Sequence, residues 1–327
     1  MPLARIRLLL LTVLAGFAVT GPAVAQEIGF PLHAITLIVP FPELSPADRV
    51  ARLLAGGMSK YFRIDVKVEN RDGADGTLAA GYVSRTDPDG YKLLLGTQAT
   101  HGIDPALYKS LPYDPVAGFA PISLLVEIPD VLLVSPNVPA ATLTELIDLL
   151  RANPGVYSYA TAGPGTPSDL LGTMFKQLAG VEMESIAFKG VGPALSDLMN
   201  NHVSMMFMSL PPTADFIRNG RLRGLAVTGD LRADRVPDVP TMAEAGLPAF
   251  RTSSWDGLFA PAATPPARID MLHAAVVDAL ADQAVQDKLH ELGATVLASS
   301  PEQLAAHVTA ELARWAPVVR ASGASID

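Results

Sequence analysis

Apolar runs of strand length alternate with helical patterns along most of the chain. Ile35 to Val39 reads as a strand, Asp48 to Phe62 as a helix and Asp65 to Glu69 as a strand. Tyr91 to Gly96 is a further strand, set up by the turn Asp87-Pro88-Asp89-Gly90. Val131 to Val134, Tyr157 to Thr161, Ser185 to Phe188, Val203 to Phe207 and Leu222 to Thr228 continue the strand series. Helices are predicted at Leu143 to Ala152 and Asp169 to Leu178. Two long helical patterns close the chain, from about Pro266 to Leu292 and from Pro301 to Val319. This alternation predicts an α/β fold with mostly parallel sheets and helices on both faces.

One pattern occurs twice. The first strand leads through Pro40-Phe41-Pro42-Glu43-Leu44 into Ser45-Pro46-Ala47-Asp48. A later strand leads through Ala162-Gly163-Pro164-Gly165 into Thr166-Pro167-Ser168-Asp169. Each four-residue end offers a hydroxyl at the N-cap, proline at the first helical position and an acid three residues after the cap. Free N–H groups and the helix dipole make such termini receptive to anions. In open α/β sheets, ligands bind at the carboxyl ends of strands. Two such termini facing one cleft would clamp a carboxylate; ordinary capping explains either one alone.

The N-terminus changes the picture of the compartment. Arg5 and Arg7 precede an apolar run from Leu8 to Val19, and Ala23-Val24-Ala25 supplies small residues before Gln26. This is the anatomy of a secretory signal cleaved after Ala25. A run of about 12 residues is too short for a bilayer, which takes roughly 20. The chain has no cysteine, which excludes a lipoprotein anchor, disulfides and thiolate metal sites. A 49% hydrophobic and 17% charged composition is that of a globular protein. A formal charge of −9 argues against nucleic acid as a partner.

Motifs for catalysis are missing from the sequence. It has no phosphate-binding loop, no dinucleotide fingerprint, no His-Glu-x-x-His and no Gly-x-Ser-x-Gly elbow. Its six histidines do not fall at zinc-ligand spacing. Asp72 and Asp75 read as solvated turn residues, Trp255 as core and Lys189 as a surface charge. No cofactor is implied. Three other readings stay open: an orphan binding or sensor protein without a permease, a periplasmic hydrolase, and an interaction module with no cleft ligand.

An ordered set of short stretches runs through the chain. It includes Ile38-Val39-Pro40-Phe41-Pro42, Val68-Glu69-Asn70-Arg71, Pro88-Asp89-Gly90-Tyr91 and Leu111-Pro112-Tyr113-Asp114-Pro115. It continues with Tyr159-Ala160-Thr161-Ala162-Gly163, Phe188-Lys189-Gly190, Pro237-Asp238-Val239-Pro240-Thr241 and Ser254-Trp255 before Leu258-Phe259-Ala260-Pro261. The set resembles the substrate-binding proteins of tripartite tricarboxylate transporters, the Bug family. The resemblance implies a two-lobed periplasmic-binding-protein fold (type II, the Venus flytrap) with two crossover strands as hinge. It implies a monomer that binds a small organic ligand, mainly through loop backbone, and hands it to integral-membrane transporter subunits. Residues 1–25 would be the signal peptide. Residues 26–125 plus about 252–280 would form one lobe, and about 126–251 plus 281–327 the other.

The resemblance and the paired loops together give the candidate ligand-binding set. The first loop supplies Phe41, Glu43, Leu44, Ser45 and Asp48, and the segment after the third strand supplies Thr97 and His101. The second loop supplies Thr161, Gly163, Gly165, Thr166 and Asp169, joined by Lys189 and Met208. Where the family has a glycine run this chain has Glu43-Leu44-Ser45-Pro46, and Pro164 and Asp169 stand where Asn and His are usual. Met208 stands where an acid is common. With Glu43, Asp48 and Asp169 beside the helix N-termini, the expected ligand shifts from multiply charged anions toward a monocarboxylate, a zwitterion, or a neutral or cationic ring amide.

Overall fold

The computed structural model describes residues 29–327; the expected signal peptide lies outside the described residues. The chain builds two sheets and passes between them more than once. It begins with β1 (Ile35–Val39), α1 (Pro46–Phe62), β2 (Val66–Asn70), α2 (Thr77–Val83) and β3 (Lys92–Thr97). A π-helical turn, Ala99–Ile103, leads to the short α3 (Asp104–Leu107) and the long β4 (Phe119–Ile128). After Pro129 the chain enters the second sheet with β5 (Asp130–Val134) and α4 (Leu143–Ala152). It goes on through β6 (Ser158–Thr161), α5 (Pro167–Ala179), β7 (Glu184–Ala187) and α6 (Val191–Met199). The second sheet ends with β8 (Met205–Ser209), α7 (Ala214–Arg218) and β9 (Arg223–Val227). The return to the first sheet brings β10 (Ser254–Pro261), α8 (Pro266–Ala281), α9 (Gln283–Glu291) and β11 (Thr295–Val296), before α10 (Pro301–Ser322).

The strand orders are β11-β4-β10-β3-β1-β2 and β7-β6-β8-β5-β9. Both sheets are mixed, not mostly parallel as the alternation suggested. β1 pairs parallel with β2 and β3, but β10 runs antiparallel to both β3 and β4. Likewise β6 is parallel to β7 and β8, while β5 is antiparallel to β8 and β9. The cause lies in the crossings. A strand that carries the chain out of one sheet or back into it must oppose neighbours set by the βαβ units.

Each sheet is covered on its faces, so its inner strands are largely apolar, while the edge strands β2 and β7 carry exposed polar residues. Val131 and Leu133 of β5 join one core cluster with Ala160, Met206 and Val227, whereas Leu132 and Val134 join another with Tyr159, Met205 and Phe207. That is the period-2 alternation of a strand sandwiched between two layers. In the first sheet Ile38, Leu94, Trp255 and Phe259 share a cluster with Ala79 and Val83 of α2. On the sheet's other layers α1 and α8 approach so closely that a Cβ on Gly57 would stand 2.4 Å from Cβ of Ala279.

α10 belongs to both lobes. Its Leu304 and Val308 pack into the first-sheet cluster, and its Trp315, Val318 and Val319 pack into a second-sheet cluster. Glu311 lies between, buried, with Oε2 accepting from Gln98 Nε2 at 3.3 Å, Trp255 Nε1 at 3.1 Å and Trp315 Nε1 at 3.0 Å. β11 pairs with β4, so the segment just after α9 belongs to the first sheet. This differs from the sequence boundary, which places residues 281–327 in the second lobe. The long pattern from Pro266 is also broken: Asp282 adopts an extended conformation and caps α9, its side chain accepting from Ala284 N–H at 2.9 Å.

Candidate functional site

A cavity of about 340 Å3 opens where strand ends from both sheets meet. Phe41, Ser45, Pro46 and Ala47 line it from the β1–α1 loop, and Thr97, Gln98, Ala99 and Ile103 from the end of β3 and the π-helical turn. Ile128, Pro167 and Ser209 add the end of β4, the start of α5 and the end of β8; Ser254, Trp255 and Asp256 add the start of β10. This is the strand-terminus location at which open α/β sheets hold ligands. Its size is at the small end of the ~300–1,000 Å3 usual for ligand pockets.

The first loop is pinned from within. Ser45 has an extended backbone, and its Oγ accepts the N–H of Asp48 at 3.2 Å, which starts α1. Asp48 is fully buried, yet it faces its own loop rather than the cavity. Its Oδ2 accepts from Leu44 N–H at 2.9 Å and Arg52 Nε at 2.9 Å, and its Oδ1 from Asn70 Nδ2 at 2.9 Å. Burial acts to raise the Asp48 carboxyl, but the bonds from Arg52, Asn70 and Leu44 outweigh it and hold the group below the usual carboxylate range. Asn70 Nδ2 also donates to Phe41 carbonyl at 2.9 Å, tying the end of β2 to the loop.

The second loop repeats the device. Asp169 Oδ2 accepts from Gly165 N–H at 2.9 Å, the counterpart of the Asp48–Leu44 bond. Gly165 and Leu44 both precede the cap, and both are left-handed, with φ 77° and 67°. Glycine takes that conformation freely; leucine does not. Thr166 sits at the cap, but its Oγ1 donates back to Gly163 carbonyl at 2.7 Å instead of capping α5. Ala162 N–H is taken by Ser168 Oγ at 2.9 Å, and Gly163 N–H by Thr161 Oγ1 at 3.2 Å. The second loop's amides are therefore largely satisfied by the loop itself, as are those of Leu44, Ser45 and Asp48 in the first, whereas Phe41 and Glu43 N–H have no partner among the described residues. What remains open at the two termini is one amide each, Ala47 N–H and Ser168 N–H, with no hydrogen bond among the described residues.

Of the residues singled out in the sequence, Phe41, Ser45 and Thr97 line the cavity. Asp48 and Asp169 are turned into their own loops because their carboxylates complete backbone turns there. Glu43 has a 76% exposed side chain and lies 3.8 Å from Arg52 at the surface. Leu44 points outward as well, and Lys189 is exposed. Thr161, Gly163, Gly165 and Thr166 shape the second loop without lining the cavity. Met208 packs half-buried against a core cluster of the second sheet. His101 is wholly buried, stacked on Phe259 at 4.2 Å between ring centroids, with Nδ1 2.9 Å from Thr100 Oγ1. Burial pushes it down to about 3, so it is a neutral core side chain.

The sequence reading missed Asp256. It is the cavity's lone titratable lining side chain among the described residues. The residue is 8% exposed, and burial pushes its carboxyl up to about 7. No donor or cation among the described residues contacts that carboxyl; burial is the whole cause of the shift. Thr97 stands directly opposite across the β3–β10 ladder, and its buried Oγ1 also has no partner. The signal in sequence was only an acid inside an apolar strand, Ser254-Trp255-Asp256-Gly257-Leu258.

Residues 50–324 match the family described as tripartite tricarboxylate transporter family receptor. The chain belongs to that family. Its members are solute-binding receptors, and this chain is one of them. It is 34% identical to the protein BugT of Bordetella pertussis over 298 residues, 91% of each chain. Among solved structures it resembles the periplasmic binding protein BugD, at 35% identity and TM-score 0.70, over 90% of this chain and 99% of that one. MatC from Rhodopseudomonas palustris, solved with bound malate, is 37% identical with TM-score 0.70, over 89% of this chain and all of MatC. A further R. palustris protein, solved with adipate, is 33% identical with TM-score 0.73, over 91% and 99%. The receptors of the family share the two-lobed α/β architecture described above.

Proposed function

We propose that this receptor works in the periplasm as a monomer. It captures a small carboxylate-bearing solute between its lobes and delivers it to the integral-membrane subunits of a tripartite transporter. The observation that carries the reading is the cavity at the start of α1 and α5, lined by Ala47, whose N–H has no partner among the described residues, and by Pro167, next to the equally unpaired Ser168 N–H. Both helices direct their positive dipole ends toward that region, which suits a carboxylate. Two solved relatives with malate and adipate support the ligand class. No chemical step belongs to this reading. Among the described residues, no histidine lines the wall beside the hydroxyls of Ser45, Ser209 and Ser254 to act as base.

Titration calorimetry of residues 26–327 against malate, adipate and short monocarboxylates tests it. One saturable site is expected for at least one of them, with a smaller radius of gyration in small-angle scattering as the lobes close. Absence of binding to every carboxylate overturns the ligand class. Saturation without any change in radius overturns closure.

A further inference from the structure

We propose that Asp256 and Thr97 form a second recognition point in the cavity, one that selects a solute carrying an ammonium group as well as its carboxylate. The inference deepens the reading of this cavity as the solute site, and rests on it.

A buried acid needs a partner. Carboxyl groups inside proteins are hydrogen-bonded or ion-paired, because an unmet charge is costly there. The buried acids of the two loops obey this rule: Asp48 has three donors and Asp169 has the Gly165 amide. Asp256 does not, although it is buried to a similar degree and faces the cavity. Thr97 shares the defect. The pair lies on neighbouring strands in register, so both side chains stand on one face of the sheet. An unmet carboxyl beside an unmet hydroxyl, which accepts as well as donates, forms a place for a group rich in donors. An ammonium group supplies three and no acceptor.

Charge points the same way. Among the described residues no lysine or arginine lines the cavity, and none acts on the Asp256 carboxyl. A dicarboxylate held at the helix termini would bring its second anion beside Asp256 and oppose its ionisation. An amino acid of similar length brings a cation instead. The expected zwitterion therefore returns on a different basis from Glu43, Asp48 and Asp169, which face elsewhere.

Matched probes separate the possibilities. Adipate is compared with 5-aminopentanoate, and malate with 3-amino-2-hydroxypropanoate, each pair differing by carboxylate against ammonium at one end. n-Pentylamine has the ammonium group alone. Calorimetry is run on the wild type, Asp256→Asn and Thr97→Val, with circular dichroism and thermal melting to establish folding. The wild type is expected to bind the ammonium member of at least one pair tenfold tighter or more. Asp256→Asn should lose tenfold or more for that member and gain affinity for its dicarboxylate. Thr97→Val should weaken the ammonium member only.

Tighter binding of the dicarboxylates by the wild type overturns the inference, since Asp256 would then serve as a protonated donor. So does an unchanged preference in a folded Asp256→Asn. If no carboxylate binds but n-pentylamine binds through Asp256, the carboxylate reading fails and the ammonium subsite stands. If no probe binds, both fail.

Discussion

Asp48 Oδ2 takes the backbone N–H of Leu44 at 2.9 Å, and in doing so holds a leucine in the left-handed conformation. The equivalent bond in the second loop holds a glycine, Gly165. The left-handed region costs a side-chain-bearing residue roughly 1–2 kcal/mol. Leu44 is 74% exposed, so it recovers little of this by packing. Leu44→Gly should therefore raise stability by about 1 kcal/mol, after the added flexibility of glycine is subtracted. A thermal melt should show a midpoint a few degrees higher. A lower midpoint would mean that the Leu44 side chain contributes more than its exposure suggests.

Removing the acceptor should have the opposite effect. Asp48→Ala strips partners from Leu44 N–H, Arg52 and Asn70 at once. A loss of about 2–4 kcal/mol is expected, from a buried charge-assisted network. Denaturant titration of wild type and variant measures it.

Asp104, Asp130 and Asp256 give stability a dependence on pH. Burial, aided by Asp75, pushes Asp104 up to about 8, and burial pushes the other two up to about 7. Each binds its proton more tightly folded than unfolded. Their contribution is complete below an ordinary carboxyl value near 3.8 and is lost as pH rises through 7 and 8. His101 and His307, pushed down to about 3 and 4, act in the opposite sense as pH falls below 6.5. Above that point the acids act without them. Stability should decline between pH 6.5 and 8, by up to about 1.4 kcal/mol per pH unit for each acid still titrating. Asp104→Asn should flatten the decline. Melting curves across that range, wild type against variant, decide it, and parallel curves would sink the assignment.

Glu311 ties α10 to the first sheet, since side-chain N–H groups of Trp255 and Gln98 converge with that of Trp315 on its Oε2. Arg314 pairs with its other oxygen. Glu311→Ala leaves those donors buried and unmet and should cost about 3–5 kcal/mol. Loss of a single cooperative unfolding transition in calorimetry would further indicate that the lobes have begun to melt separately.

The α1–α8 contact admits no larger residue. Gly57→Ala would put a methyl group 2.4 Å from Ala279 Cβ and 2.9 Å from its Cα, a backbone atom that cannot swing away. A cost of about 1–3 kcal/mol is expected in denaturant unfolding.

These contrasts indicate what sequence alone can disclose. Ile35–Val39 and Leu143–Ala152 were legible to the residue, because a strand run and a capped amphipathic helix are local patterns. The crossings β4 and β10 were not read from residue patterns. Pro121 interrupts one, and Asp256 and Gly257 interrupt the other, so neither resembles an uninterrupted strand. The two loops were legible as helix N-termini, yet the direction of their acids was not. An acid three residues past a cap can turn to the solvent, the ligand or the chain behind it, and only the fold says which. Asp256 was hidden for the converse reason: its chemistry lies in having no partner, and a sequence does not display that.

The place of β10 also governs the order in which the molecule can assemble. This strand lies between β3 and β4, but it is encoded after the whole ladder of the second sheet. A nascent chain that has reached residue 250 holds every strand from β5 to β9, while β3 and β4 still lack the neighbour that joins them. Such non-local pairing is slow, because a long loop must close before any contact offsets its entropy. The half of the protein made first is thus the half completed last, and its exposed β3 and β4 edges are the surfaces through which a stalled chain would aggregate.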